Sequence, residues 1–228
     1  MNEEDNPIRV AIVDDQELMR SALRMMVESQ PDLELAGEAA DGHEALALVR
    51  TKRVDVILMD LRMPRLDGIQ ATAAITKEQP ATRVVALTTF DLDDYAFPAI
   101  RAGASGFLLK DARPEELLAG IRAVAVGDAV IAPALTRRLL EEYARYVPAH
   151  RRDPAEDPGL GSLTDREREI LVAVGKGWTN GEIATRFVLS ESTVKTHVGR
   201  VLAKIGVRDR IQAVIFAYDH GLARPSVD

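Results

Sequence analysis

The sequence predicts a doubly wound α/β domain with a five-stranded parallel sheet, followed by a small all-α domain. Three observations support this. Over the first 126 residues, short apolar runs alternate with helix-period segments, which is typical of buried strands in a parallel sheet. A segment rich in Pro, Gly, Asp and Arg interrupts this pattern at 148–162 and is expected to be exposed. After it, helix-period segments follow one another without a strand-like run.

The first part of the chain contains five successive strand–helix units. Asp41 and Asp67, each followed by glycine, mark helix starts, and Pro114 lies in the first turn of another helix. Such units build a doubly wound sheet through right-handed crossovers. The predicted strands lie near 8–13, 33–39, 54–59, 83–88 and 105–109. The predicted helices lie near 16–29, 43–53, 67–78, 92–102 and 114–126.

The alternation of apolar runs with helix-period segments ends near Gly127, where the second part of the chain begins. We predict a linker at 129–160 that contains one helix, near 133–147. The domains are then residues 1–128, which form the α/β domain, and residues 161–228, which form the all-α domain. Four short helices are predicted in the latter, near 165–175, 179–186, 190–204 and 207–220.

Composition excludes several classes of protein. The chain of 228 residues has no cysteine, which excludes disulfides, thiolate catalysis and cysteine-ligated metal sites. Its net charge of −7 is uneven, because residues 161–228 carry 10 basic and 8 acidic side chains while the rest is strongly acidic. No apolar run has the length of a membrane span, and the polar N-terminus does not resemble a signal peptide. We therefore expect a cytoplasmic protein with no membrane association.

Charged or hydroxyl side chains stand at the ends of four predicted strands. Asp14 and Asp15 follow the first strand, Asp60 the third and Lys110 the fifth, while Thr88 ends the fourth. Ligands of such sheets bind at the carboxyl ends of the strands, so these groups are expected to converge. Three carboxylates beside an ammonium suit a divalent cation and a phosphoryl group, and Mg²⁺ prefers oxygen ligands. Helix capping explains the aspartates singly but does not explain the whole set.

In order and spacing, these positions resemble the receiver domain of bacterial response regulators, and the downstream part resembles the LuxR-type helix-turn-helix. The chain is thus similar to two-component response regulators of the NarL/FixJ family. The resemblance implies a regulator that is not an enzyme, with Asp60 phosphorylated by a sensor histidine kinase. It implies Mg²⁺ held by Asp14, Asp15, Asp60 and the backbone carbonyl of Arg62. The residues alone leave open which of Asp14 and Asp15 binds the metal directly, and the resemblance favours Asp15.

Further roles follow from the chemistry and the resemblance. Lys110 is expected to stabilise charge on the transferring oxygens. Thr88 is expected to turn its hydroxyl towards the phosphoryl group, and the resemblance implies that Phe107 then moves inward. The alternative for Phe107 is an ordinary core residue. By resemblance, Arg62 and Phe90 control the access of water to the acyl phosphate.

The third helix of the all-α domain is predicted to enter the major groove of double-stranded DNA. Ser190 is its expected cap, and its expected core-facing stripe is Val194, Val198, Val201 and Leu202. Base-edge contacts are expected from Lys195 and Thr196. Phosphate contacts are expected from Ser192, Thr193, Arg200 and Lys204.

Few base contacts per monomer argue for a dimer. Each good contact contributes about 1–3 kcal/mol of discrimination, so one or two specify a site poorly. We expect a homodimer that forms on phosphorylation and binds paired half-sites. The last helix is a candidate interface, although its apolar side chains equally suit the core of their own domain. They are Val207, Ile211, Val214, Ile215 and Tyr218.

Three other functions are less consistent with the sequence. A phosphatase of the haloacid dehalogenase type has its nucleophile after the first strand and a second Asp two residues on, but position 16 is Gln. A lactone sensor with the same DNA-binding part requires an aromatic-rich cavity, but aromatic residues make up only 4% of the chain. A DNA-binding protein independent of phosphorylation does not need the intact set of Asp, Thr and Lys residues.

Overall fold

The protein divides into two compact units, Met1–Ala132 and Pro133–Asp228. The computed structural model describes residues 6–88, 92–127, 130–131 and 158–223. The predicted linker helix at 133–147 and the predicted water-control residue Phe90 lie outside these ranges.

A parallel sheet forms the centre of the first unit, with the strand order β2-β1-β3-β4-β5-β6. All five predicted strands are present, and β6 is a short addition beside β5. It was not predicted because two residues carry no readable periodicity. The strands are β1 (Ile8–Val13), β2 (Leu33–Ala39), β3 (Val56–Asp60), β4 (Arg83–Thr88), β5 (Gly106–Leu109) and β6 (Val130–Ile131).

Five helices pack around this sheet close to their predicted positions. Asp41 and Asp67 cap two of them as predicted, since their side chains accept the backbone N–H groups of Glu44 and Gln70. The helices are α1 (Glu17–Glu28), α2 (Gly42–Thr51), α3 (Gly68–Glu78), α4 (Leu92–Arg101) and α5 (Pro114–Ala125).

Both faces of the sheet are buried. One core joins Leu23 and Val27 of α1 and Ile121 of α5 with Val10, Ile12, Val56, Leu58, Val85 and Leu87 of the strands. The other joins Val49 of α2 and Ile75 of α3 with Ala11, Val13, Ile57, Met59 and Val84. Successive strand residues thus enter opposite cores, which explains why each strand is a continuous apolar run in the sequence.

The strand order locates the ligand-binding edge. Chain connections leave β1 towards β2 on one side and return to β3 on the other. In doubly wound sheets such a reversal opens a crevice at the carboxyl ends of the two strands. Asp14 follows β1 and Asp60 ends β3, so both lie at this crevice.

The second unit is helical throughout its described part, residues 158–223. Two capping boxes begin successive helices, one from Thr164 and Glu167 and the other from Thr179 and Glu182. Ser190 caps the next helix as predicted. The helices are α6 (Pro158–Gly161), α7 (Asp165–Gly175), α8 (Asn180–Phe187), α9 (Glu191–Ile205) and α10 (Arg210–Asp219).

The short helix α6 differs from the expectation of an exposed segment at 148–162. Leu160 is fully buried, and α6 packs against α9 within the second unit. A single apolar residue among prolines and glycines has no periodicity, so the sequence did not indicate this contact.

No helix in the described ranges is long and apolar enough to cross a membrane.

Candidate functional site

The three carboxylates predicted to converge lie together at the carboxyl ends of β1 and β3. One oxygen from each of Asp14, Asp15 and Asp60 lies within 4.8 Å of the other two. Asp14 and Asp60 are 0% and 4% exposed, whereas Asp15 is open to solvent. The cluster therefore combines two carboxylates withdrawn from water with one that solvent reaches.

Lys110 lies between the two buried carboxylates. Its Nζ is 2.6 Å from Asp14 Oδ2 and 2.8 Å from Asp60 Oδ2. The backbone N–H of Lys110 donates to the Thr88 carbonyl at 2.7 Å, which aligns the ends of β5 and β4. The sheet thus holds the backbone of Lys110, and its ammonium group contacts the acidic cluster.

The remaining carboxylate oxygens accept bonds from the backbone. Asp14 Oδ1 accepts the N–H of Gln16 at 2.9 Å, and Asp60 Oδ1 accepts the N–H of Arg62 at 3.2 Å. Each buried carboxylate therefore uses one oxygen for a backbone N–H and the other for Lys110. These contacts offset part of the cost of burying two negative charges, which one ammonium group does not fully neutralise.

The pKa values in the cluster move for identifiable reasons. Burial raises the pKa of Asp60, against the opposing effect of the hydrogen bond from Lys110. Burial lowers the pKa of Lys110, but the hydrogen bonds to Asp14 and Asp60 outweigh it and raise the value overall. Lys110 therefore remains an ammonium group at neutral pH and is a fixed positive charge in the cluster.

The other predicted residues of this unit lie beside the cluster. Thr88 is buried at the end of β4, and Phe107 is fully buried in β5. The side chain of Arg62 is exposed, and its guanidinium carbon lies 5.9 Å from the centre of the Tyr95 ring. The backbone of Arg62 belongs to the loop that begins directly after Asp60.

Gly68 is a site residue whose importance was not predicted. A Cβ atom built on it would lie 2.0 Å from the backbone oxygen of Asp60, much closer than atoms can approach. The sequence marked Gly68 only as part of a helix start. Its contact with β3 depends on how α3 packs, which no local pattern reveals.

Helix α9 presents most of the predicted DNA contacts. Val194, Val198 and Val201 are buried as predicted, whereas Leu202 is only partly buried and Ile205 completes the core-facing stripe. Five predicted contact residues are exposed and lie on the helix surface: Ser192, Thr193, Lys195, Thr196 and Arg200. Neither Lys195 nor Arg200 forms an ion pair with any residue that the structure describes.

Lys204, the remaining predicted contact, is engaged within its own unit. Its Nζ lies 2.6 Å from Glu167 Oε2 and donates to the Ser162 carbonyl at 3.0 Å. This ion pair connects the end of α9 to the start of α7. A phosphate contact from Lys204 stays a prediction and requires the ammonium group to leave these partners.

The ion pair with Lys204 predicts a pH dependence of stability. The Lys204 ammonium and the N–H and hydroxyl of Thr164 lower the pKa of Glu167 from 4.5 to about 2. A lowered carboxyl pKa contributes stability that is complete above the ordinary value and lost as pH falls through the folded value. The free energy of unfolding of wild type should therefore exceed that of Glu167→Gln most at neutral pH, and the gap should shrink below pH 4.5.

Urea unfolding read by the fluorescence of Trp178, the single tryptophan, measures this gap in the second unit. The partner variant Lys204→Met should show the same pH dependence as Glu167→Gln. A gap that stayed constant from neutral pH down to about pH 3 would show that the charge of Glu167 contributes no stability.

The last helix serves the core of its own unit at least in part. Ile211 and Tyr218 are buried there, whereas Val207, Val214 and Ile215 are partly exposed. The buried pair bears out the core alternative for those two positions. A dimer interface at the other three stays a prediction.

A doubly wound domain with an acidic cluster and a lysine at its ligand-binding edge, followed by a helix-turn-helix unit, defines the class of response regulators that control transcription. Residues 10–122 match the response regulator receiver domain, and residues 161–217 match the bacterial regulatory proteins of the luxR family. The chain belongs to the NarL/FixJ family of two-component response regulators, which carry a LuxR-type helix-turn-helix.

Relatives match over nearly the whole chain. The uncharacterized transcriptional regulatory protein YxjL of Bacillus subtilis is 44% identical, over 95% of this chain and 98% of its own length. LiaR of the same organism is 39% identical, over 94% of this chain and 99% of its own. The crystal structure of ChrA, a response regulator of a heme-sensing two-component system, matches with 32% identity and a TM-score of 0.50, over 95% of this chain and 99% of that one. This protein is therefore a DNA-binding transcriptional response regulator of a two-component system.

Proposed function

We propose that a sensor histidine kinase phosphorylates this protein on Asp60 in a Mg²⁺-dependent reaction, and that the phosphorylated protein binds paired DNA half-sites as a homodimer. One observation carries the proposal. The Asp60 carboxylate lies at the ligand-binding edge of the sheet, 2.8 Å from the Lys110 ammonium and clustered with Asp14 and Asp15. This set supplies a nucleophile, a fixed cation and oxygen ligands for a metal ion.

The donor set fits Mg²⁺. Mg²⁺ prefers oxygen ligands at about 2.1 Å, so oxygens that share one ion lie at most about 4 Å apart. The oxygens of Asp14, Asp15 and Asp60 already lie within 4.8 Å of one another, so small side-chain movements suffice. With the Arg62 carbonyl, these carboxylates would hold the ion, leaving other positions to water and the phosphoryl group. Bound there, Mg²⁺ would neutralise charge on the phosphoryl oxygens.

The chain's own residues perform the transfer. A carboxylate oxygen of Asp60 attacks the phosphorus of the phosphorylated histidine, and the bond from phosphorus to the histidine nitrogen breaks as the acyl phosphate forms. Because the transition state of such transfers is loose, positioning and charge stabilisation are the main contributions of the protein. Lys110 supplies this charge from a position that Asp14 and the backbone of β5 already hold.

The switch begins beside the new phosphoryl group. Thr88 turns its hydroxyl towards a phosphoryl oxygen, and Phe107 on the neighbouring strand repacks with it. These residues are buried on adjacent strands, where Thr88 pairs in register with Leu109 and Ala86 with Phe107. A buried element with two packings, biased by a new charge, is how a local modification changes a distant surface.

DNA binding uses helix α9. Lys195 and Thr196 face base edges in the major groove, and Ser192, Thr193 and Arg200 contact phosphates, with Lys204 joining if it leaves Glu167. The exposure of the first five supports this assignment. The functional segments of the chain are then a receiver at 1–128, a linker at 129–160 and a DNA-binding domain at 161–228.

Incubation of the purified full chain with acetyl phosphate and Mg²⁺, followed by intact mass measurement, tests the proposal. Wild type should gain one phosphoryl group and Asp60→Asn should gain none. The phosphorylated sample should then form dimers and bind a duplex, selected from a random DNA pool, more tightly than before. Lys195→Ala should be phosphorylated normally but bind that duplex weakly.

Two outcomes contradict the proposal. A phosphoryl gain in Asp60→Asn would place the acceptor elsewhere. Equal dimerisation and DNA binding with and without phosphorylation would favour the alternative in which the receiver domain acts only as a constitutive dimerisation module.

A further inference from the structure

The loop between β3 and α3, residues 61–67, contains a strained residue next to the phosphoacceptor pocket. Arg65 adopts a left-handed backbone conformation, with φ 67°. Side chains with a Cβ atom rarely adopt this conformation, and arginine has no local hydrogen bond that favours it. Such residues persist where the surrounding structure holds them, and they are frequent at functional sites.

The Arg65 side chain is held by the start of α2. Its Nη2 forms an ion pair with Asp41 Oδ2 and lies 3.6 Å from Glu44 Oε1. Asp41 is fully buried and also caps α2 by accepting the Glu44 N–H at 2.9 Å. Arg65 therefore reaches from the loop to a carboxylate whose own position is determined by a helix terminus.

Two more contacts restrain the loop. The N–H of Gly42 donates to the Leu66 carbonyl at 3.1 Å, next to the Arg65 ion pair. At the other end, Gly68 packs directly on the Asp60 backbone oxygen and donates to the Leu61 carbonyl at 3.1 Å. The loop is thus attached to α2 at residues 65–66 and to β3 at residue 68, with Arg62 between these attachments and Asp60.

We propose that Arg65 is a positioning residue whose ion pair with Asp41 holds this loop where the Arg62 carbonyl reaches the metal ion of the phosphoacceptor pocket. The inference rests on the proposed function, since it concerns the same pocket. Arg65 touches neither the metal nor the phosphoryl group. It determines the position of a backbone ligand, in the way that partners outside a metal's own ligand set orient those ligands.

The chain offers a matched control for this ion pair. Arg50 of α2 binds Glu78 of α3 with Nη2 2.7 Å from Oε1, and both side chains are largely exposed. This pair also joins an arginine to an acid between α2 and the segment that follows β3. It lies at the far ends of the two helices, away from residues 61–67. Its loss tests whether any ion pair beside α2 affects the pocket.

The experiment measures Mg²⁺ binding to the unphosphorylated full chain by calorimetric titration, together with the Mg²⁺ concentration that half-saturates phosphorylation by acetyl phosphate. Arg65→Ala should raise both the dissociation constant for Mg²⁺ and this half-saturating concentration by about tenfold, the scale expected for a lost orienting partner. Arg65→Lys should recover most of the binding. Arg50→Ala should stay within about twofold of wild type, because its acidic partner Glu78 is exposed, unlike Asp41, and the pair lies away from residues 61–67.

Arg65→Asn separates the ion pair from the backbone conformation, because asparagine tolerates the left-handed region but carries no charge. It should bind Mg²⁺ as weakly as Arg65→Ala, and urea midpoints verify that each variant is folded. Wild-type Mg²⁺ affinity in both variants would overturn the inference while leaving the proposed function intact. Failure of wild type itself to bind Mg²⁺ would overturn the proposed function, and this inference with it.

Discussion

Replacing Lys110 with methionine is expected to lower the free energy of unfolding by about 3 kcal/mol in Mg²⁺-free buffer, the loss that follows when one partner of a buried ion pair is removed. The Lys110 ammonium lies 2.6 Å from Asp14 and 2.8 Å from Asp60. Without it, two buried carboxylates face each other with no neutralising charge from this side chain. Urea unfolding followed by circular dichroism measures the loss.

Adding Mg²⁺ should raise the free energy of unfolding of Lys110→Met more than that of wild type. The ion supplies positive charge to the same carboxylates, and in the variant no ammonium already neutralises them. Lys52→Met is the matched control, because Lys52 donates to the Ala36 carbonyl at 2.7 Å and its removal strands no carboxylate. It should lose no more than about 1 kcal/mol. Equal losses in the two variants, unaffected by Mg²⁺, would show that the Lys110 cluster contributes no special stability.

Adding a single methyl group at Gly68 is expected to cost about 3 kcal/mol, the upper part of the range for overpacked sites. The new Cβ of Gly68→Ala would lie 2.0 Å from the Asp60 carbonyl oxygen. The backbone determines the position of both atoms, so no side-chain rotation relieves the overlap, and either α3 or the end of β3 must shift. Since β3 ends at Asp60, phosphorylation by acetyl phosphate should fall with stability.

Circular dichroism and intact mass measure these two effects, and Trp178 fluorescence monitors the second unit, which should unfold as in wild type. Gly199→Ala adds the same methyl group on α9, where a Cβ would meet no atom within 4 Å. That control should gain about 1 kcal/mol in the second unit, because alanine favours helix over glycine. A Gly68→Ala variant with wild-type stability and phosphorylation would refute the packing argument.

The strands and helices were largely predictable because their signals are local. Strands buried on both faces are continuous apolar runs, and helices begin at side chains such as Asp41 and Ser190 that accept N–H groups of the next turn. Predictions were poorest for elements too short to show a hydrophobic periodicity. β6 has two residues, and α6 depends on the single buried Leu160.

The composition of the candidate site was also predictable, since the carboxyl ends of parallel strands share one edge. Which of these charged groups form ion pairs with one another was not predictable. Lys110 binds Asp14 and Asp60, but the prediction specified only that it would lie near three carboxylates. Lys204 was expected to contact phosphate, which stays a prediction, but its ion pair with Glu167 was not predicted. Exposed position on a helix does not reveal whether an acid from another helix lies within reach.

The sequence by itself determined the class of fold, the starts of its helices and which chemical groups gather at the carboxyl edge of the sheet. It could do so because periodicity and capping act between residues a few positions apart. Only the tertiary structure decided which charges meet, that Gly68 has no room for a side chain, and that Arg65 reaches Asp41. Those facts depend on ångström-scale distances between elements far apart in the chain, which packing sets and no local pattern encodes.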